Sequence, residues 1–182
     1  DYMKVLGEFA KMADLIVLAG AAALWFAEPA TFRGTSYAEP YPVAPEFELT
    51  RSDGSRLRLS ELRGNIVLVF FGFTTCPDVC PTTLAELNQA LSKLPAEKAA
   101  QVKVVFITVD PERDTPELLQ EYVNRFNPAF IGLGGNLKDL EIIWHQYGVI
   151  RSIEPGQSAA GYLITHTARV TMIDRQGNLR VS

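Results

Sequence analysis

The stretch "FFGFTTCPDVCPTTL", Phe70 to Leu84, holds both cysteines of the 182-residue chain, Cys76 and Cys80. Three residues separate them, and Pro77 and Pro81 brace the segment between an apolar run and a helical pattern. A structural disulfide, a dithiol redox pair and a metal site are the chemistries to weigh. A disulfide here would close a very short loop and remove little entropy from the unfolded chain. Two small cysteines packed into a core form the plainest alternative, and a proline-braced connection suits it poorly. For redox work, a helix N-terminus stabilises a nearby thiolate. Asp78 between the cysteines pulls the other way, because a carboxylate disfavours a second anion. For metal work, two thiolates from one loop are a soft pair that selects Cu(I), or zinc where further ligands exist. Two sulfurs do not complete a tetrahedral zinc site, so a third ligand must come from elsewhere.

The chain has two histidines. His145 shares a helix face with Lys138 and Glu141 and reads as solvated surface. His166 stands in "GYLITHTARVTMID", just ahead of a late strand. In a thioredoxin-like sheet this part of the chain passes beside the cysteine loop and ordinarily carries a cis-proline. Thr165-His166-Thr167 contains none, which tilts the pair from dithiol exchange towards metal binding. Taken alone, His166 reads equally well as a satisfied buried histidine. Asp110 to Asp114, "DPERD", follows a strand on the same rim; it either flanks the site or is a turn ending in a helix cap.

The surrounding elements follow from periodicity. Phe47 to Leu59 alternates about Asp53-Gly54, a hairpin signal. "NIVLVFFGF" (Asn65 to Phe73) and "VKVVFITVD" (Val102 to Asp110) are continuous apolar runs that suit strands buried on both faces. "TLAELNQALSKL" is helical, with Leu84, Leu87, Leu91 and Leu94 on one face and capping-box spacing at Thr83 and Glu86. "DTPELLQEYVNRF" repeats that spacing at Asp114 and Glu117, with Pro116 in the tolerated first turn. "AFIGLGG" is a short third run. "LKDLEIIWHQYG" is an amphipathic helix, apolar at Leu137, Leu140, Trp144 and Tyr147 and stopped at Gly148. Arg151 to Gly161 reads as a loop, and "THTARVTMIDRQGNLRV" as a strand, a turn and the start of its partner. The expected fold is α/β: a thioredoxin-like mixed sheet flanked by helices, with an N-terminal β-hairpin. Its parallel strands gather their carboxyl ends on one rim, where Cys76 lies.

Residues 1–27 read as a separate apolar helix and as a membrane anchor. The uncharged run Leu15 to Ala27 has 13 residues, about 20 Å of helix against a hydrocarbon core of roughly 30 Å. Glu8, Lys11 and Asp14 form a polar stripe beside it. A signal-peptide remnant and an amphipathic surface helix are the alternatives. Residues 28–45, with four prolines, read as a linker, and the folded domain as 46–182. The absence of an initial methionine and the ending at Ser182 suggest a fragment of a longer product. Hydrophobic residues at 47% and charged residues at 21% are ordinary for a globular protein. A net charge of −4 without any Lys/Arg run argues against nucleic-acid binding.

Gly72-Phe73-Thr74 leading into Cys76-Pro77-Asp78-Val79-Cys80-Pro81, then Asp110-Pro111-Glu112-Arg113-Asp114-Thr115, then His166 together resemble the motifs of the Sco/SenC family of copper proteins. The resemblance covers about Pro40 to Ser182. It implies a thioredoxin-like domain on a membrane anchor, facing the periplasm or another extracytoplasmic space. It implies copper, as Cu(I) or Cu(II), held by Cys76, Cys80 and His166; the chemistry of Cu(II), which gains from an oxygen donor, leaves room for Asp78 or water as an extra ligand. The implied role is a metallochaperone that builds the binuclear copper centre of a haem-copper oxidase, with that centre's subunit as partner. It also implies a C-terminal helix after the last hairpin, which this sequence lacks. Two alternatives stay open: a thiol-disulfide reductase that uses Cys76 and Cys80 on the target's cysteines, and a resident subunit of a respiratory membrane complex.

Overall fold

The computed structural model describes residues 34–156 and 161–182. The expected apolar helix, 1–27, lies outside the described residues. Among those described, no helix is long and apolar enough to cross a membrane.

The alternation around Asp53-Gly54 forms strands β1 (Glu48–Thr50) and β2 (Arg56–Arg58), paired antiparallel with Leu49 opposite Leu57. Both leucines are buried, while Glu48 on the outer face accepts from Arg58 Nε at 2.7 Å and Arg56 Nε at 3.2 Å. Gly54 takes φ +79° at the turn, a conformation open to glycine at little steric cost. A 3-10 turn, Leu59–Leu62, then leads into β3 (Ile66–Gly72). The remaining elements are α1 (Val79–Ser92), α2 (Ala96–Ala99), β4 (Val102–Thr108) and α3 (Pro116–Asn124). After them come β5 (Ile131–Leu133), α4 (Leu137–Gln146), β6 (Arg151–Pro155), β7 (Tyr162–His166), β8 (Val170–Ile173) and β9 (Leu179–Val181).

Five strands make the main sheet in the order β5-β4-β3-β8-β9. β3, β4 and β5 run parallel, whereas β8 pairs antiparallel with β3 and β9 antiparallel with β8. β3 is central, which explains its unbroken apolar sequence. Phe70 lies in register with Phe106 of β4, and the two rings meet at 5.8 Å. Phe70, Phe71 and Phe106 are almost wholly buried, each such side chain stabilising the fold by about 1.5–3 kcal/mol.

Four expectations change. The described part of the 28–45 linker, expected to drape over a surface, is bonded into the fold. Thr35 and Ser182 exchange backbone hydrogen bonds at 2.8 and 3.0 Å, Tyr37 N–H donates to Arg180 O, Leu179 N–H to Pro42 O, and Ala44 N–H to Gly177 O. The segment straps the open edge of β9, and the folded unit therefore starts at Thr35 rather than at Glu46. These contacts are made by backbone, so no apolar period marks them in the sequence. Secondly, Arg151 to Gly161 is not simply a loop. Its first five residues form β6, which pairs with β7 as a hairpin outside the main sheet. Thirdly, helix α1 begins at Val79 with Asp78 as N-cap, five residues ahead of Leu84, so Thr83 and Glu86 do not cap it. Fourthly, α4 buries Ile143 with Leu140 and Trp144, while Leu137 at its start is exposed.

β5 is short and tightly held. A Cβ on Gly132 would stand 2.7 Å from the backbone of Leu119 in α3, closer than van der Waals contact allows. Gln120 of α3 also clamps the strand: its side chain accepts from Gly132 N–H at 3.1 Å and donates to Phe130 O at 2.9 Å. Gly132→Ala must push helix and strand apart and should lower stability by about 1–3 kcal/mol. Urea unfolding would register this as an earlier midpoint at unchanged slope; an unchanged midpoint would contradict the close approach.

Candidate metal centre

The parallel pairing of β3 with β4 delivers two loops to one rim. At the end of β3 the chain turns sharply, with Cys76 N–H donating to Phe73 O at 3.3 Å. Cys76 lies in this loop, half exposed, and Cys80 lies in the first turn of α1, fully buried. Both are free thiols. The backbone N–H of Cys80 points at Cys76 Sγ, 3.4 Å away. Donation from the Cys80 thiol, and from the backbone N–H groups of Cys80 and Asp78, lowers the Cys76 pKa to about 4 against an opposing burial cost. Cys80 moves the other way, pushed up because its proton is held by the Cys76 sulfur and because it is buried. The structure thus makes Cys76 the thiolate and Cys80 the thiol. Asp78 was expected to oppose a thiolate through its carboxylate. Its backbone N–H instead assists Cys76, while its carboxylate receives Thr82 Oγ1 at 3.4 Å.

Cys80 sits where a side chain on β3 would otherwise be. A Cβ on Gly72 would fall 2.8 Å from Cys80 Sγ and 2.6 Å from the Phe106 ring. The buried sulfur therefore rests directly on the strand backbone.

His166 is the last residue of β7, not the first of β8, and it comes to the same place. Its Nε2 is 3.9 Å from Cys80 Sγ, bridging 86 residues of sequence. Its Nδ1 lies 3.0 Å from the carbonyl oxygen of Thr167. A carbonyl can only accept, so Nδ1 carries the proton and Nε2 presents its lone pair towards the sulfur. The Phe73 ring meets the imidazole edge-on at 5.7 Å. Cys76, His166, Phe73, Pro77, Val79 and Ile164 line an open cleft of about 260 Å³. His145 is exposed on α4, as its helix face predicted. Among the described residues, no group of three or more His, Cys, Asp and Glu side chains stands as a preformed metal cage. The two sulfurs and the imidazole are gathered, and the third side of the site opens to solvent.

Of the two readings open for the Asp110–Asp114 segment, flanking the site or ending in a helix cap, Asp114 takes the first. The cap of α3 is Thr115, whose hydroxyl accepts from Leu118 N–H at 3.3 Å. Asp114 is instead buried, and accepts from Thr74 Oγ1 at 2.5 Å, Thr74 N–H at 3.1 Å and Thr108 Oγ1 at 2.8 Å. It ties the cysteine loop to the end of β4. Burial raises its pKa, with the threonine donors offsetting only part of that rise. The signal was present in the sequence, since Thr115 before Pro116 is the better N-cap and leaves Asp114 without a capping task.

The SCO1/SenC family pattern matches residues 35–181. The chain belongs to the SCO1/SenC family. The matched region begins where the β9 strap begins. The SCO2-like protein of Rickettsia felis is 35% identical over 142 residues, covering 78% of this chain and 69% of its own length. The solution structure of the apo Sco1 protein from Thermus thermophilus is 40% identical with a TM-score of 0.73, covering 83% of this chain and 86% of that one. The structure of Bradyrhizobium japonicum ScoI with copper bound is 36% identical with a TM-score of 0.69, covering 75% and 86%. This SCO1/SenC chain spans 66% and 69% of the length of two of its curated relatives.

Two outcomes follow from the loop geometry. Asp114→Ala leaves three donors without their acceptor and should cost about 1–3 kcal/mol, read as a lowered urea midpoint; a neutral variant would mean that the threonines find water instead. In the reduced protein, iodoacetamide should modify Cys76 and spare Cys80. Because the Cys76 pKa is lowered, its thiolate persists above about pH 4. Its alkylation should therefore vary little from mildly acidic to neutral pH, unlike that of an ordinary cysteine, which titrates near ~8.5.

Proposed function

We propose that the chain is a copper-binding metallochaperone, taking copper as cargo through Cys76, Cys80 and His166. The observation that carries this reading is the approach of His166 Nε2 to Cys80 Sγ at 3.9 Å, with Nδ1 already committed to a carbonyl. A metal about 2.3 Å from a thiolate and about 2.0 Å from an imidazole nitrogen sets those atoms roughly 3.5–3.7 Å apart at tetrahedral to trigonal angles. The donor set fits copper chemistry: soft thiolates suit Cu(I), and the neutral imidazole adds a ligand that suits Cu(II). Binding must take the proton from Cys80, while Cys76 already favours the thiolate. Asp78 or water could complete a Cu(II) site at the open side. Related structures from Bradyrhizobium japonicum and Arabidopsis thaliana are described with copper bound.

The family motifs extend the reading to assembly of the binuclear copper centre of a haem-copper oxidase, with that centre's subunit as the receiving partner. They support work in the periplasm or another extracytoplasmic space, with residues 1–27 as the membrane anchor. A second reading rests on the asymmetry of the thiols. An accessible Cys76 thiolate beside a buried Cys80 thiol suits a thiol-disulfide reductase acting on the target's copper-binding cysteines. Cys76 would attack a target disulfide and release one target thiolate. Cys80, as it deprotonates, would then displace the second target sulfur, leaving a Cys76–Cys80 disulfide and two electrons on the target.

Anaerobic titration of the reduced chain with Cu(I) and Cu(II), beside an insulin reduction assay, separates the two readings. His166→Ala should lose Cu(II) affinity by tenfold or more, the worth of about 1.4 kcal/mol, and keep Cu(I) on its two sulfurs. Full Cu(II) affinity in that variant, with an unaltered thiolate-to-copper absorption band, would overturn the ligand set. Fast insulin reduction without retained copper would favour the reductase.

A further inference from the structure

The geometry points to Asp110, Glu112, Arg113, Arg151 and Tyr162 as positioning residues that clasp the β6–β7 hairpin and thereby fix His166 opposite the cysteines. The hairpin needs such a device. Among the described residues, β6 and β7 pair with each other alone and belong to no larger sheet. Ile164 is the one residue of β7 buried in the core. Cys80, by contrast, is fixed by helix and strand together.

Two tethers run from the Asp110–Asp114 segment to the hairpin, one on each strand. On β7, Tyr162 Oη donates to Asp110 Oδ1 at 2.6 Å. Arg113 Nε donates to the other oxygen, Asp110 Oδ2. The Arg113 guanidinium also lies over the Tyr162 ring at 3.9 Å, and its Nη1 donates to Tyr162 O at 3.2 Å. Asp110 is fully buried, so one carboxylate joins the rim of β4 to the hairpin. On β6, Arg151 Nη2 donates to Glu112 Oε2 at 2.8 Å, and the guanidinium lies over the Trp144 ring at 5.2 Å. Arg151 is the cross-strand partner of His166, so this second tether acts at the position beside the histidine on the same face of the hairpin. Tyr162 stands four residues before His166 on the same strand face, about 13 Å away.

The same short segment therefore holds both halves of the site. Asp114 grips the cysteine loop through Thr74, and Asp110, Glu112 and Arg113 grip the histidine hairpin. The spacing between sulfur and imidazole is set by five consecutive residues following β4.

This inference rests on the copper reading for its consequence, but the clasp has a readout of its own. In the full chain without metal, Tyr162→Phe keeps the ring under Arg113 and removes only the hydroxyl. Amide hydrogen exchange at residues 162–166 should then quicken about tenfold, as loss of one charge-assisted hydrogen bond predicts, while β3 exchanges as before. Cu(II) affinity should fall about tenfold, and Cu(I) affinity should stay within about twofold. Glu112→Gln added to Tyr162→Phe should deepen both effects. Unchanged exchange in β7, or an equal rise throughout β3, would overturn the clasp, as would equal losses of Cu(I) and Cu(II). If His166→Ala retained Cu(II) while Tyr162→Phe still loosened β7, the ligand assignment would fail and the clasp would stand.

Discussion

β3 and β4 run side by side in parallel, from Ile66 opposite Val102 to Gly72 opposite Thr108. That pairing brings two chain segments, 36 residues apart in sequence, to adjacent positions on one rim. One becomes the cysteine loop and the other the Asp110–Asp114 turn. Val109 N–H extends the ladder by donating to Gly72 O at 2.8 Å. Just beyond it, Asp114 reaches back to Thr74. A parallel pair needs a crossover to bring the strands together, and α1, whose N-terminal turn carries Cys80, forms part of it. The helix that satisfies the sheet's topology also supplies the buried sulfur.

The three gathered donors differ in how they are held. Cys80 lies between a helix turn and a strand that lacks a side chain at Gly72, its sulfur close against that backbone. Cys76 keeps one side in solvent and a pKa lowered by donors converging on its sulfur. His166 depends on a hairpin outside the sheet, although its ring is oriented by the Thr167 carbonyl and the Phe73 edge. The low-dielectric floor belongs to one sulfur and the solvent-facing side to the other, so the site is polarised before any ligand arrives.

The sequence carried the site's chemistry more clearly than its supports. Unbroken apolar runs marked β3 and β4, and a proline-braced cysteine pair beyond the first marked a strand-to-helix junction. The histidine standing where a proline was expected drew the third donor to the same place. Arg151 to Pro155 was not legible as a strand because only Ile153 among its five residues is a strong β-former, and the segment exposes four of them. Asp114 stayed ambiguous because its spacing to Glu117 copies a capping box, and spacing alone cannot tell a capping carboxylate from a buried one. Gly72 was visible only as part of the motif and not in its role, which is to be empty where a sulfur from the next element must fit.

The strap along β9 joins segments far apart in sequence, with Thr35 bonded to Ser182. Contacts of such long sequence separation carry a large loop-closure entropy. Until they form, β9 presents a bare row of backbone donors and acceptors, a template on which another chain can add a strand. The proline-rich segment thus acts as a guard against misassembly. Its prolines, Pro40, Pro42 and Pro45, lack the N–H needed to extend the ladder further. Capping the sheet in this way ends lateral growth at the strap instead of moving the open edge one strand outward.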